Sequence, residues 1–463
     1  MDPRIRSPDP AARAWSVLAS SGTPPLQCAP TRPARCGAAF TSGSAHGTLP
    51  VIGQKTRGSD QVNSLSLALL VVPLIAVAAS LIATVVGRVV KVPIVVFEIL
   101  LGIILGPSLL GWVQPDEFTT ALADFGLAML FFMAGTEIDF AVIRGRPLTR
   151  AALGWAISLA AGLAVAIAFT PTLEAGVIVG IALGSTALGT LLPVLRDAGE
   201  LHTPFGTAVI AVGAAGEFGP LLAISLFLSG RNPGLAAVVL LGFAVIAALA
   251  ITVAARGKYT GLNRLISATL HTSGQLAIRL VVLIIAALVV LSVVLGLDML
   301  LGAFAAGVLW RVFVAHAQPA DRHVVEIKLD AIAFGFLVPI FFVNTGLTFD
   351  LPALLGDPTA LVLLPVLLVL LVLVRGLPGL LAAPVGSSRA DKRAIVFFSA
   401  TGLPVIVAVT TIGTDTGLLT SALAAALVAA GMLSVLFFPV LGLAQHQRST
   451  AAPPAPGTAG AAP

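Results

Sequence analysis

Charged residues are scarce in this sequence. They make up 10% of its 463 residues, whereas a typical soluble domain has about 25%. Apolar residues account for 57% of the chain, and the mean hydropathy is +1.04. The basic residues behind the net charge of +5 lie in short loops between apolar runs, as the orientation signals of membrane proteins do. We therefore expect a membrane protein and no nucleic-acid partner.

Patterns that bind nucleotides or structural metals are also missing. The two cysteines, Cys28 and Cys36, both lie near the N-terminus and do not have the spacing of metal ligands. The sequence has no Gly-Lys-Ser or Gly-Lys-Thr phosphate loop, and no βαβ pattern follows the last apolar run. These absences argue against an ATP-driven pump and against an enzyme, and we expect no cofactor.

The two ends of the chain differ from the rest. Residues 1–62 are rich in Pro, Ala, Arg, Ser and Gly and show no periodicity, which predicts a disordered tail. This tail lacks the apolar core of a signal peptide. The next methionine is Met129, so an alternative is that translation begins at Val51 or Val62 through a non-standard codon. Residues 444–463 have the composition of a low-complexity tail.

Long apolar runs fill the chain between these tails. About 20 apolar residues are enough to cross a bilayer as a helix. Window hydropathy predicts about thirteen such spans in residues 63–443, joined by short loops. We therefore expect an all-α membrane protein with one transmembrane domain. The predicted spans are 65–86, 93–112, 120–138, 149–170, 173–195, 204–228, 233–254, 274–296, 298–315, 329–348, 359–384, 393–413 and 418–443.

The charges of the loops predict the orientation of these spans. Basic and acidic loops alternate along the chain, and basic loops stay in the cytoplasm. We expect a multi-pass protein of the cell (plasma) membrane, with its N-terminus outside and its C-terminus in the cytoplasm. The basic set is Arg88, Lys91, Arg144, Arg146, Arg150, Arg196, Arg256, Lys258, Arg264, Arg311, Arg322, Lys328, Arg389, Lys392, Arg393 and Arg448, and the acidic set is Asp116, Glu117, Glu174, Asp298, Asp350, Asp357 and Asp415, with Arg231 as its one basic residue.

Short motifs recur in the two halves of the chain. The second span contains Glu98-Ile-Leu-Leu-Gly102, and the ninth contains Asp298-Met-Leu-Leu-Gly302. A Phe-Phe pair followed by Gly and Asp recurs in the third and tenth spans. Matching spans are seven apart and so cross the membrane in opposite directions, which predicts an inverted-topology repeat of the kind found in secondary transporters. The copies are about 65–228 and about 274–443, with 233–254 as a linker helix.

Two spans at matching positions of the repeat contain helix-breaking residues. Unwound backbone is tolerated inside a membrane only where it lines a cavity or is buried in protein. We therefore predict two discontinuous helices whose ends meet at a binding site, the alternative being close packing of continuous helices through small residues. The residues concerned are Ser185, Thr186 and Gly189 in the fifth span and Thr401, Gly402 and Pro404 in the twelfth.

The sixth span carries one ionisable residue, Glu217, near its middle. A charged side chain at that depth costs about 2.5–3.5 kcal/mol on insertion scales, so it indicates a functional site. Pro220, three residues later, predicts a further break and a freed backbone carbonyl. We predict that Glu217 binds a proton and a transported Na⁺ or K⁺ in competition, with hydroxyls of Ser185, Thr186 and Thr401 as further ligands. The alternative is a structural carboxylate paired with a neighbouring helix.

Three other polar residues within predicted spans are candidates for a role near the site. Arg375 is expected to balance a carboxylate such as Glu98 or the ends of the broken helices, unless it extends toward the cytoplasm along its apolar stem. Glu98 is either a supporting charge or purely structural. Asn344 is expected to satisfy a buried polar contact.

Four segments together resemble a known family. VPIVVFEILLGIILGPSLLGW, GLAMLFFMAGTEIDF, LVPIFFVNTGLTFDL and ATGLPVIVAVTT are similar to the monovalent cation:proton antiporters of the Kef-type and bacterial sodium/hydrogen exchanger group. The resemblance implies two crossed discontinuous helices, a dimerisation domain and hence a homodimer, and elevator-like alternating access. Members carry an Asp in the sixth span, often preceded by Asn, Asp or Gln. Here the pair is Gly216-Glu217, which leaves one carboxylate and suggests electroneutral exchange.

Two other functions remain open from the sequence. The same fold would serve a sodium-coupled symporter of organic solutes, which would need a larger polar cavity. The chain could also be the membrane subunit of a regulated cation channel, which would conduct without obligatory proton coupling. Exchange of Na⁺ or K⁺ for protons is the leading hypothesis.

Overall fold

The computed structural model describes residues 57–87, 92–138, 143–256, 260–270, 272, 274–315 and 317–450. Most of the predicted N-terminal tail, including both cysteines and the alternative start at Val51, therefore lies outside the described residues. The other alternative start, Val62, lies within α1 (Arg57–Val86). So does the part of the predicted C-terminal tail that follows residue 450.

The described residues form helices joined by loops and turns, with no strand among them. Two π-helical segments, Ala333–Leu337 and Leu371–Gly376, interrupt the α-helices. The α-helices of six or more described residues are α1 Arg57–Val86, α2 Ile94–Leu105, α3 Glu117–Glu137, α4 Arg146–Phe169, α5 Leu173–Leu183, α6 Leu188–Asp197, α7 Pro204–Phe227, α8 Pro233–Arg256, α9 Thr260–Thr269, α10 Leu276–Val294, α11 Met299–Val314, α12 Pro319–Ile332, α13 Val338–Leu347, α14 Leu351–Gly356, α15 Pro358–Leu370, α16 Arg389–Ser399, α17 Pro404–Asp415 and α18 Ser421–Thr450.

Each predicted span contains α-helix, which confirms the all-α membrane fold, although the second span, predicted as 93–112, is α-helical only over Ile94–Leu105. Ten helical segments of the described chain are long and apolar enough to cross a membrane. The first, second and ninth predicted spans correspond to three shorter apolar helices, Leu70–Val86, Ile94–Leu105 and Met299–Val314. Ten of the spans are thus matched by helical segments long enough to cross a membrane, and the count of thirteen crossings stays a prediction.

Two predicted boundaries were wrong. The disordered tail was expected to extend to residue 62, but α1 already begins at Arg57. At the other end the low-complexity tail was expected from residue 444, but α18 continues to Thr450. The stretch Ala444–Thr450 contains no Pro or Gly, so nothing in it stops the helix.

Aspartates of the predicted outer loops begin several helices. Asp116, Asp298, Asp350 and Asp357 are the N-cap residues of α3, α11, α14 and α15, and each accepts a hydrogen bond from a backbone N–H of the first turn. Such a cap contributes about 1 kcal/mol because it satisfies an N–H that has no partner within the helix. The acidic character of these loops therefore also defines where the membrane helices start.

The broken segments are the most buried part of this helical unit. Within the described residues, 83% of the apolar window in Leu173–Leu192 and 78% of that in Arg389–Asp415 is buried, against 11% in Pro233–Arg256. The linker helix α8 thus exposes apolar side chains on nearly all sides. The two segments predicted to form the binding site lie inside the packed protein.

Glycines allow two helix pairs to approach closely. A Cβ atom on Gly346 of α13 would lie 2.8 Å from the Cα of Gly102 in α2, and one on Gly135 of α3 would lie 3.1 Å from the Cα of Gly307 in α11. The first contact joins the second and tenth predicted spans, and the second contact joins the third and ninth. The predicted repeat pairs the second span with the ninth and the third with the tenth, so it would convert one of these contacts into the other. This reciprocity supports the repeat, which stays a prediction.

We expect Gly346→Ala to lower the melting temperature of the detergent-solubilised protein by several degrees. The added methyl would overlap the carbonyl oxygen of Ile99, and overpacking of this kind costs about 1–3 kcal/mol. Gly242→Ala in α8 is the matched control, since a Cβ there meets nothing within 4 Å. Equal melting temperatures for the two variants would contradict the close contact.

Candidate ion-binding site

Two membrane segments are interrupted near their middle. α5 ends at Leu183 and α6 begins at Leu188, while α16 ends at Ser399 and α17 begins at Pro404. Both interruptions fall where the sequence predicts them. Ser185, Thr186, Thr401 and Gly402 lie in the breaks, and Pro404 occupies the first position of α17, where a missing N–H costs nothing.

Two of the predicted break residues are placed elsewhere. Gly189 is the second residue of α6 and lies inside the first helical turn. Pro220 lies inside α7, which runs from Pro204 to Phe227 without interruption. Proline is tolerated there because other groups satisfy the backbone that it frees.

The carbonyl freed by Pro220 is used by the first break. A proline at position 220 leaves the carbonyl oxygen of Gly216 without its intrahelical donor. The backbone N–H of Thr186 donates to that oxygen at 2.8 Å, and the N–H of Ala187 donates to the carbonyl of Thr401 at 2.8 Å. The first break is therefore hydrogen-bonded both to α7 and to the second break.

Glu217 belongs to α7, and its buried side chain reaches the first residue of α6. Its side chain is 1% exposed, and its Oε2 accepts a hydrogen bond of 3.1 Å from the backbone N–H of Leu188. Leu188 is the first residue of α6, and the preceding Ala187 provides no side-chain cap. The carboxylate therefore caps the positive end of this half-helix, which stabilises a nearby negative charge by up to about 2 kcal/mol in buried geometries. The sequence identified the acid but not its backbone partner.

Arg375 is fully buried in the π-helical segment Leu371–Gly376. Its Nε donates to Thr186 Oγ1 at 2.7 Å and its Nη2 to the carbonyl of Val212 at 2.7 Å. Nη1 is buried without a hydrogen-bond partner. The expected pairing with Glu98 is absent, as is any ion pair of Arg375 with a described carboxylate. The alternative of an extension toward the cytoplasm is also wrong, since the guanidinium is inaccessible.

The guanidinium instead balances the negative end of a half-helix. Thr186 Oγ1 accepts a hydrogen bond from Arg375 and donates one of 2.6 Å to the carbonyl of Ser399. Ser399 is the last residue of α16. The C-terminal end of a helix carries partial negative charge. Arg375 thus acts on the end of α16 through Thr186, as Glu217 acts on the start of α6. This is the second of the two roles that the sequence suggested.

Gly216 is explained by the position of Arg375. A Cβ atom at residue 216 would overlap Arg375 Nη2 and lie 2.5 Å from Thr186 Oγ1. A polar side chain before Glu217 would therefore need the space that the guanidinium occupies. The packing of Arg375 therefore leaves no room for a second carboxylate at position 216.

A cavity of about 840 Å³ reaches Glu217. Most of the residues that line it are apolar, and its polar lining residues are Glu98, Thr190, Glu217 and Gln447. Gly189 and Pro404, from the first turns of α6 and α17, also line it. The positive ends of the two half-helices therefore adjoin one cavity that contains two carboxylates.

The predicted hydroxyl ligands do not line this cavity. Ser185 donates to the carbonyl of Ala182 at 2.8 Å, and Thr401 donates to that of Phe397 at 3.0 Å. These hydroxyls, like that of Thr186, satisfy carbonyls at the breaks, and their role as ion ligands stays a prediction. Thr190, which the sequence analysis did not select, is the hydroxyl on the cavity wall.

The structure brings one of the two remaining predicted residues to the site. Glu98 is 2% exposed, lines the cavity with Glu217 and has no hydrogen bond to a described residue. Asn344 does not line the cavity. Its buried Oδ1 has no hydrogen-bond partner in the described part of the chain, so the expected polar contact is not made through that atom.

Glu137 was missed by the sequence analysis. It is the last residue of α3, and its Oε2 is buried without a hydrogen-bond partner. It lies near enough to Glu217 for the two negative charges to repel, and Arg196 and Arg311 attract it. An acid at the end of an apolar span looks like a loop residue, and no signal in the sequence distinguishes the two.

Several known proteins are similar to this chain at low identity. The Na⁺/H⁺-K⁺ antiporter GerN of Bacillus cereus is 28% identical over 265 residues, which is 56% of this chain and 66% of GerN. The Bacillus subtilis protein YjbQ is 26% identical over 374 residues, which is 76% of this chain and 58% of YjbQ. The chain thus spans less than two thirds of the length of these two relatives.

A solved structure shares the fold. The sodium proton antiporter MjNhaP1 from Methanocaldococcus jannaschii, determined at pH 8, matches with a TM-score of 0.59. The match covers 83% of this chain and 97% of MjNhaP1 at 16% sequence identity. Agreement at this identity demonstrates a common arrangement of helices.

The family assignment rests on a match over most of the chain. The family model for the transmembrane region of sodium/hydrogen exchangers matches residues 75–442 of the 463. This region contains both broken helices, Glu217 and most of the residues that line the cavity. The chain belongs to the sodium/hydrogen exchanger family.

Proposed function

We propose that this protein exchanges a monovalent cation, Na⁺ or K⁺, for protons across the cell membrane. The observation that carries the proposal is the Glu217 carboxylate, held at the start of α6 where two broken helices meet a cavity. The similarity to proteins named as antiporters, such as the Na⁺/H⁺-K⁺ antiporter GerN of Bacillus cereus, supports it. We extend antiport activity from these relatives to this chain as a hypothesis in which Glu217 is the residue that binds the exchanged ions.

Glu217 would hold either a proton or a cation. Leu188 N–H satisfies one of its oxygens, Oε2, which leaves lone pairs free for a ligand in the cavity. A monovalent cation entering a protein exchanges water for oxygen ligands, and Glu217 and Thr190 both provide them on the cavity wall. A bound proton removes the negative charge that attracts the cation. Competition for one carboxylate then couples the two fluxes.

The cavity would open to the cytoplasm. Gly87, Pro93, Val194 and Gln447 line it and lie at the helix ends that the loop charges predict to be cytoplasmic. The structure would then correspond to an inward-facing state. Alternating access requires a second state in which the path from Glu217 opens to the outside instead.

The mostly apolar lining of this cavity disfavours the symporter alternative. A polar organic solute needs convergent hydrogen-bonding groups to replace its water. The four polar lining residues provide few such groups in about 840 Å³. A small ion needs only the oxygen ligands around Glu217.

We further propose that the protein is a homodimer, because its sequence resembles the antiporter group.

Exchange is proposed to be electroneutral, with one proton for one cation. Gly216 leaves one carboxylate at the half-helix end, because Arg375 occupies the space beside it. Glu98 lies about one turn from the start of α2, on the predicted cytoplasmic side of the cavity. We assign it an entry role, in which its charge raises the local cation concentration without an obligatory proton.

We expect Glu217→Gln to reduce cation-dependent proton flux in proteoliposomes to the level of protein-free vesicles. Glutamine keeps a carbonyl oxygen that accepts from Leu188 N–H, so the melting temperature should stay within a few degrees of the wild type. It cannot release a proton. Glu174→Gln, an exposed acid in the first turn of α5, is the control and should transport normally. Wild-type flux in Glu217→Gln would refute the assignment.

We expect the zero-flux point to be independent of membrane potential in both the wild type and Glu98→Gln. Moving one net charge across 100 mV is worth about 2.3 kcal/mol, so electrogenic exchange would respond strongly. Glu98→Gln should raise the cation concentration for half-maximal rate and leave the maximal rate unchanged. The potential is set with valinomycin and potassium while Na⁺ is transported. A wild-type shift that Glu98→Gln abolishes would make Glu98 a second coupling residue.

A further inference from the structure

Three elements meet around His446 at the predicted cytoplasmic side. His446 lies near the end of α18 and is 7% exposed. Its Nδ1 is 2.8 Å from Asp391 Oδ1 in the first turn of α16. Its Nε2 is 3.0 Å from Glu200 Oε1 in the loop between α6 and α7. The ring stacks on Phe205 of α7 with centroids 3.9 Å apart and 13° between the planes.

Both carboxylates are held in place by other groups. Asp391 Oδ2 accepts from the backbone N–H and the hydroxyl of Ser388 at 3.2 and 2.9 Å. Glu200 Oε2 accepts from the hydroxyl of Thr203 at 2.7 Å. Each acid therefore presents its remaining oxygen to the imidazole from a fixed position. Among the described residues, the titratable groups in contact with the ring are Glu200 and Asp391, and Phe205 is uncharged.

The two contacts depend differently on the charge of the ring. A neutral imidazole has one N–H, which can serve Asp391 through Nδ1. The contact of Nε2 with Glu200 is close, but its geometry is not that of a hydrogen bond. It is attractive only as an ionic contact with a protonated ring. Histidine is the side chain that ordinarily changes charge between about pH 5 and 8.

We propose that Glu200, His446 and Asp391 form a proton-responsive clamp on the cytoplasmic side, which slows exchange when the cytoplasm is acidic. Protonation of His446 strengthens its attraction to both carboxylates at once. The clamp then ties the end of α18 to α16 and to the loop before α7. Deprotonation releases the contact with Glu200 and loosens the connection.

The clamp joins elements that form the candidate site. The residues of α18 that line the cavity are Pro439, Val440, Leu443, Ala444 and Gln447, and His446 lies at the flank of this helix face. α7 begins next to Phe205 and carries Glu217, while α16 runs from Asp391 to the second break at Ser399. Contacts that hold α18, α16 and the start of α7 together resist any relative movement of these helices that closes the cavity. This inference rests on the proposed exchange function.

The test measures maximal exchange rate against cytoplasmic pH in wild type, His446→Gln and His202→Gln. His202 lies in the same loop as Glu200 and is exposed, so its variant is the matched control. Saturating cation removes the competition with protons at Glu217. We expect the wild type and His202→Gln to be about fivefold slower at pH 6 than at pH 8, and His446→Gln to change less than about twofold. Equal pH dependence in all three would overturn the clamp.

A second measurement does not require transport. Hydrogen–deuterium exchange of the peptide around His446 is compared at pH 6 and 8, after correction for the intrinsic pH dependence, in the Glu217→Gln background. We expect protection at pH 6 that His446→Gln abolishes and His202→Gln keeps. This outcome would support the clamp even if the protein does not exchange ions. Protection that is the same at both pH values would refute it.

Discussion

A buried charge needs protein groups to replace the water that it has lost, and the centre of this molecule is built around that requirement. Glu217 accepts from the first N–H of α6, and Arg375 acts on the last carbonyl of α16 through Thr186. Each charge thus meets a half-helix end of opposite sign. Continuous helices would present no such ends at this depth, so the two breaks and the two charges depend on each other.

Proline and glycine create the space and the free backbone groups that this arrangement needs. Pro220 leaves the Gly216 carbonyl free, and the N–H of Thr186 in the first break uses it. The missing side chain of Gly216 makes room for the guanidinium of Arg375. One short sequence, Gly216-Glu217-Phe-Gly-Pro220, therefore provides the acid, the room for its neighbouring cation and an acceptor for the break. Gly216 contributes both the room and the acceptor oxygen, and Pro220 frees that oxygen.

The sequence predicted the features that follow from composition and periodicity. Spans, the all-α fold and the breaks at Ser185–Thr186 and Thr401–Gly402 come from local rules of hydropathy and helix propensity. The partners of the buried charges were not predictable, because a backbone N–H such as that of Leu188 leaves no signal in the sequence. For Arg375 the sequence left two partners open, a carboxylate or the helix ends, and it could not identify Thr186 and the carbonyl of Val212 as the groups that accept its hydrogen bonds. A proline within a helix usually breaks it in water, whereas here the backbone N–H of Thr186 satisfies the Gly216 carbonyl that Pro220 leaves free.

Competition for Glu217 is the central claim, and proton release on cation binding tests it most directly. Na⁺, K⁺ and Li⁺ are titrated in turn into the purified protein by calorimetry, in buffers with different ionisation enthalpies. The slope of the observed enthalpy against the buffer enthalpy gives the number of protons released. The account predicts that the bound cation releases about one proton from the wild type at a pH where Glu217 is protonated, and none from Glu217→Gln. Saturable cation binding to the wild type without proton release would contradict it.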